Sequence, residues 1–134
     1  MTTPAFVPVT RWTDRRHVRG VRGELLALAY LVSCGWEIEA HRFRLGRHDV
    51  DLVARRGRLI AFVEVKTRKT ATCGAPAEAV SARKQATVGR VAAAWRARYG
   101  RSSDEYRFDL VSVWEPSNGE GRVEHVADAW RVQV

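Results

Sequence analysis

The sequence predicts an α/β fold: a mixed central sheet flanked by helices, with element order α-β-β-β-α-β-β. Three observations carry this. Two long segments repeat apolar residues at a 3-4 spacing, which marks one face of an α-helix. Five short runs are rich in β-branched and aromatic residues and are bounded by glycine or turn residues, as strands are. The second helix lies between the third and fourth strands, so those two strands are joined by a crossover and run parallel. Helices packed on such a sheet make an α/β sandwich. The chain has 134 residues, the size of one domain.

Residues 1–12 hold Pro4, Pro8 and several threonines and read as a flexible leader, with a single domain over 13–134. Thr13 or Asp14 caps a first helix that runs to about Cys34, with Gly35 as its C-terminal cap. Its expected core stripe is Val18, Val21, Leu25, Leu28, Ala29 and Val32, and Glu24 borders that stripe. Gly20 and Gly23 weaken a helix, so their presence suggests close approach by another element. Strands follow at 36–44, with Trp36, Ile38 and Ala40 on one face, then at 48–54 and 58–66. The segments "RLGR" and "RRGR" supply glycines for tight turns between them. A second helix starts near Ser81 and ends near Tyr99, before Gly100. Its stripe is Val88, Val91, Ala92, Trp95 and Tyr99, and Lys84 lies one turn earlier on the same line. "YRFDLVSVW" and "RVEHVADAW" are the last two strands.

Composition narrows the function. The formal charge of +8 favours an anionic partner, with nucleic acid first because phosphate contacts release counterions. A basic protein with no such partner is the plain alternative. Cys34 reads as a small core residue and Cys73 as a loop residue; no CxxC pair is present, and a disulfide is not expected. No apolar run is long enough to span a bilayer, and no signal-like segment opens the chain. A cytoplasmic location is the expectation. No Ser-His-Asp or Cys-His arrangement suggests a covalent nucleophile.

One stretch resists a purely structural reading. In "GRLIAFVEVKTRK", residues 57–69, Ile60, Phe62, Glu64 and Lys66 share one face of a strand. If Arg56-Gly57 is the turn, Asp49 lies opposite Glu64 and Asp51 on the diagonal. Three carboxylates on one face repel unless a cation sits between them. Mg²⁺ is held by one or two carboxylates with waters and substrate phosphates. The alternative, a solvated Glu-Lys pair, weighs equally on spacing alone. The apolar neighbours on the same face and the acids on a second strand favour a site.

The segments "GELLALAYLVSCGWEI", "HDVDLVARRGRLIAFVEVKTRK", "AVSARKQ" and "YRFDLVSVW" together resemble the YraN-like family of uncharacterised bacterial proteins. That family is assigned to the restriction-endonuclease-like, PD-(D/E)xK nuclease superfamily and is similar to archaeal Holliday-junction resolvases. The resemblance implies a Mg²⁺- or Mn²⁺-dependent endodeoxyribonuclease acting on DNA, with branched or recombination structures as substrates. It matches Asp51 and Glu64 to the metal-binding acids and the Val65 carbonyl to a further ligand. It matches Lys66 to the lysine that activates water and steadies phosphate charge, and Glu24 to a catalytic helix acid. Lys84 and Gln85 match polar helix residues near the site, while Arg68 and Lys69, just past it, are phosphate-binding candidates. Cleavage of a junction needs two symmetric cuts, which a homodimer would suit. The runner-up is a nucleic-acid-binding protein that keeps this scaffold without useful catalysis. His48-Asp49-Val50-Asp51 departs from the family's Gly-Glu-Ile-Asp at His48 and Asp49, and no proline precedes Asp51.

Other residues carry plainer readings. His41, His48, Asp49 and Asp51 do not have structural-zinc spacing. His17 and His125 read as surface or loop histidines. Trp36, Trp95 and Trp114 read as core, and Trp12 and Trp130 as freer. Arg42, Arg44, Arg47, Arg55, Arg56 and Arg58 read equally as phosphate grips or as solvated turn charge.

Overall fold

The computed structural model describes residues 15–68, 80–114 and 121–134, with side chains described from residue 22 onward. Helix α1 spans Arg15–Ser33, and strands β1, β2 and β3 span Glu37–Leu45, His48–Arg56 and Leu59–Arg68. Helix α2 spans Ala82–Tyr99, and β4 and β5 span Glu105–Trp114 and Arg122–Trp130. The expected element order is present. One five-stranded sheet has strand order β1-β2-β3-β4-β5. Among the described residues only β3 and β4 pair in parallel, on either side of the α2 crossover; the other three neighbours are antiparallel.

The sheet has two apolar layers. On one face Phe43, Val50, Val53, Ile60, Phe62, Phe108 and Leu110 pack with Val88, Val91, Ala92 and Trp95 of α2. On the other Leu52, Ala54, Ala61, Val63 and Val111 pack with Ala27 and Leu31 of α1. The α2 stripe is the expected one. Ser81 caps its start, its hydroxyl accepting from the Lys84 N–H at 3.1 Å.

The α1 stripe differs from the expected one. Gly23, Glu24, Ala27 and Leu31 face the sheet, whereas Leu25 and Val32 are exposed. Residues 24, 27, 28 and 31 have the same 3-4 spacing as 25, 28, 29 and 32. A helix apolar on both sides offers two stripes, and tertiary packing chooses one. The helix ends as expected at Gly35, whose φ of 89° terminates it. The Trp36 N–H reaches the Leu31 carbonyl and the Gly35 N–H that of Val32, the paired bonds of a Schellman motif. Cys34 lies at this helix end and is exposed rather than in the core.

β1 is bent. Its register with β2 shifts between Ile38 and Ala40, so Ile38 and Trp36 fall in the α1 layer and Ala40 in the α2 layer. The expected common face for these three residues is therefore broken by a bulge, which inserts one residue and reverses the alternation. The β2–β3 turn also differs. Arg56 pairs with Leu59, leaving Gly57-Arg58 as the two-residue loop. Gly57 has φ 64°, the positive value that a side chain resists at that position.

Candidate active site

The shifted turn moves the β2–β3 register by two residues and so preserves which face each side chain occupies. Val53 pairs with Phe62 and Leu52 with Val63, where the ladder ends. The next position sets Asp51 against Glu64, not Asp49 against Glu64 as the sequence suggested. Beyond that point β2 and β3 part. The Asp51 carboxylate takes over the missing pairing, its Oδ2 accepting from the Val65 N–H at 2.7 Å. In a strand the N–H and C=O of one residue point to the same edge, so the Val65 carbonyl faces the side on which Asp51 lies.

Glu64 is 4% exposed, and its Oε1 has no hydrogen-bond partner among the described residues. Burial pushes its carboxyl up to about 7; the Lys84 ammonium and hydrogen bonding to Asp51 pull down, while Asp49 pushes up. Lys84 Nζ stands 3.9 Å from Glu64 Oε2. Burial also holds the Asp51 carboxyl well above its ordinary range, and the nearby charges of Glu64, Glu24 and Asp49 add to this against the Val65 N–H. Two neighbouring acids that each resist ionisation lack positive charge between them. An unpartnered buried oxygen in such a pair fits a hard divalent cation, which supplies both the charge and the missing contact. Among the described residues no three His, Cys, Asp or Glu side chains form a metal cage.

The other expected residues fall as follows. Lys66 follows Glu64 on the α2 side of β3 and is exposed. Arg68 donates from Nε to the Ser112 hydroxyl at 3.2 Å. Gln85 donates to the Val80 carbonyl at 3.0 Å. Lys69 lies outside the described residues. Glu24 is buried on α1, with His41 Nε2 at 2.6 Å from Oε2 and Arg42 Nη2 at 3.0 Å from Oε1. Burial raises its pKa, but the hydrogen bonds and charges of His41 and Arg42 outweigh this and lower it. His48 is exposed and Asp49 half-buried.

Sequence reasoning missed the partners of Glu24. A signal existed: apolar residues at 36, 38 and 40 are followed by Phe43, and that break in the two-residue period marks the distortion of β1. It also misplaced His125, which lies in β5 with Nε2 2.7 Å from Asp109 Oδ2. Asp109 is fully buried and further held by Arg107 at 2.8 Å. Trp130 is buried, whereas Trp114 is half-buried under the Arg122 guanidinium, 4.4 Å from the ring centre. The turn arginines divide. Arg42 pairs with Glu24 and Arg55 with Glu39 and Asp104, Arg56 lies over Trp36, and Arg58 pairs loosely with Glu105 at 3.5 Å.

The sequence profile described as "Uncharacterised protein family UPF0102" matches residues 23–113. A UPF0102 protein of Geobacter sulfurreducens is 39% identical over 126 residues, which cover 94% of this chain and 98% of that protein. One from Rhodococcus jostii is 40% identical over 111 residues, covering 83% and 94%. One from Frankia casuarinae is 41% identical over 108 residues, covering 81% and 92%.

Proposed function

The chain belongs to uncharacterised protein family UPF0102, and on that premise we propose that it is a metal-dependent nuclease that hydrolyses DNA phosphodiester bonds, with branched or recombination DNA as its substrate. One observation carries the reading: Asp51 and Glu64 face each other at a strand split, both resist ionisation, and Glu64 Oε1 is buried with no hydrogen-bond partner among the described residues. Asp51, Glu64 and the Val65 carbonyl would hold Mg²⁺ or Mn²⁺. When bound, the ion lowers the pKa of a water and polarises the phosphoryl oxygen.

The chain's own residues do the rest. Lys66 presents an ammonium on the Glu64 side of β3, where negative charge develops on the phosphate. Lys84 stands beside Glu64 at the start of α2 and can meet a phosphate oxygen. Arg68 and Gln85 extend the polar surface along which a DNA backbone would lie, and Lys69, outside the described residues, remains a phosphate-binding candidate from the sequence. The Asp51–Val65 bond fixes the carboxylate before substrate arrives, so little reorganisation is needed at the moment of reaction. A homodimer would place two such centres for paired cuts.

The test is cleavage of labelled single-stranded, duplex and four-way-branched DNA with Mg²⁺ or Mn²⁺, comparing wild type with Glu64→Ala. Cleavage that requires both the ion and Glu64 supports the proposal and reveals the preferred shape. Cleavage that survives Glu64→Ala places the chemistry elsewhere. Binding without cleavage favours a DNA-binding protein on the same scaffold.

A further inference from the structure

Glu24 differs from Asp51 and Glu64 in one respect: its charge is already balanced. Oε2 accepts from His41 Nε2 at 2.6 Å and Arg42 Nε at 3.1 Å, and Oε1 accepts from Arg42 Nη2 at 3.0 Å. Both oxygens are engaged in a nearly buried setting. Both oxygens of that carboxylate are thereby tied to β1.

Its partners are consecutive residues of β1. In a regular strand they would point to opposite faces. Both reach α1 because Arg42 has φ 55°, a left-handed value that an L side chain disfavours. The kink has a consequence across the sheet. His41 pairs with Leu52 and Phe43 with Val50, and the ladder is interrupted between them, where Arg42 would oppose Asp51. Faces reverse on both strands at this point. Val50 packs in the α2 layer and Leu52 in the α1 layer, although they lie two positions apart and would share a face in a regular strand. Asp51 is thereby released from both neighbouring ladders, and its carboxylate reaches the Val65 N–H instead.

We propose that Glu24 is a positioning residue: by gripping Arg42 and His41 it holds the left-handed kink of β1 that frees Asp51 to cap the Val65 amide and face Glu64. The clamp itself stands on geometry. Its consequence for a bound ion rests on the nuclease reading above, so the test has one readout for each.

The first readout is hydrogen exchange at the Val65 amide, which needs neither metal nor DNA. Arg42→Asn removes the guanidinium, and asparagine tolerates positive φ, so the ion pair is lost without a steric clash. Exchange at Val65 should then speed up by about tenfold or more. Arg42→Lys, which keeps one charged donor, should fall between wild type and Arg42→Asn. The second readout is Mn²⁺ affinity by calorimetry. Arg42→Asn should lose about 10- to 100-fold, the usual effect of removing an outer support of a metal site. Glu24→Gln, which still accepts from Arg42, should stay within about threefold of wild type, while Glu64→Gln loses far more. The proposal is overturned if Val65 stays protected in Arg42→Asn, or if Glu24→Gln costs as much Mn²⁺ affinity as Glu64→Gln. A wild type that binds no Mn²⁺ would sink the nuclease reading instead, and Val65 exchange alone would then decide the clamp.

Discussion

Glu64 follows Ile60 and Phe62 on one face of β3, and both of those residues are fully buried. The fold therefore keeps its carboxyl protonated up to about 7 against an ordinary 4.5. A folded-state value above the unfolded one means that the folded protein holds the proton more tightly. Its stability then falls as pH rises between those two values. The loss is on the order of 3 kcal/mol once Glu64 is fully ionised. Glu64→Gln should therefore melt above wild type at pH 8 and lose that advantage near pH 4.5. Mg²⁺ or Mn²⁺ should raise the wild-type Tm at pH 8 and leave the variant unmoved. Parallel melting curves for the two proteins across pH, without any metal response, would contradict the site. The face shared by Glu64 and Lys66 was legible in the sequence, because strand alternation is rigid. The partner of Glu64 was not. Placing the turn at Arg56-Gly57 rather than Gly57-Arg58 shifts the pairing by two residues, and a two-residue shift leaves every face intact.

At the level of elements, α1 shows how a glycine positions a functional residue. A Cβ built on Gly23 would run into Thr67 Oγ1 on β3. The glycine lets the helix approach the strand where Glu24, the next residue, must reach β1. Gly23→Ala improves helix propensity by about 1 kcal/mol, yet overpacking costs roughly 1–3 kcal/mol. The expected net effect is a loss of up to about 2 kcal/mol in denaturant unfolding. Adding Thr67→Ala should recover most of it. Equal stability of Gly23→Ala and wild type would show that the contact is relieved by rotation of Thr67 alone. The glycine pair signalled a close approach from sequence, but not its partner, since nothing local names a residue more than forty positions away. The two layers of the sheet were legible from apolar period. The α1 stripe was not, because the helix carries two apolar lines and only packing selects between them. The kink at Arg42 lay beyond propensity altogether, since arginine has no preference for φ 55°; the ion pair with Glu24 provides the reason.

Over the whole molecule the charge of +8 sets the expected partner. Among the described residues no helix is long and apolar enough to cross a membrane. Some of the arginine is used internally: Arg42, Arg55 and Arg107 neutralise Glu24, Glu39, Asp104 and Asp109. The composition showed the excess of positive charge and could not show which residues were already spent. Lys84 stands 3.9 Å from Glu64, and Lys66 and Arg68 follow Glu64 along β3, so on the nuclease reading DNA affinity should fall steeply with salt. Arg68→Ala and Lys84→Ala should each flatten the slope of log K against log salt by about 1. An unchanged slope would move the DNA surface away from this end of β3. The central claim is that Asp51 and Glu64 form a hydrolytic metal centre, and Mg²⁺-dependent cutting of four-way-branched and duplex DNA by wild type, Asp51→Asn and Glu64→Gln tests it most directly. Cutting by wild type alone, abolished by a chelator, is the predicted result; equal cutting by all three, or DNA binding with no cutting under any ion, would contradict it.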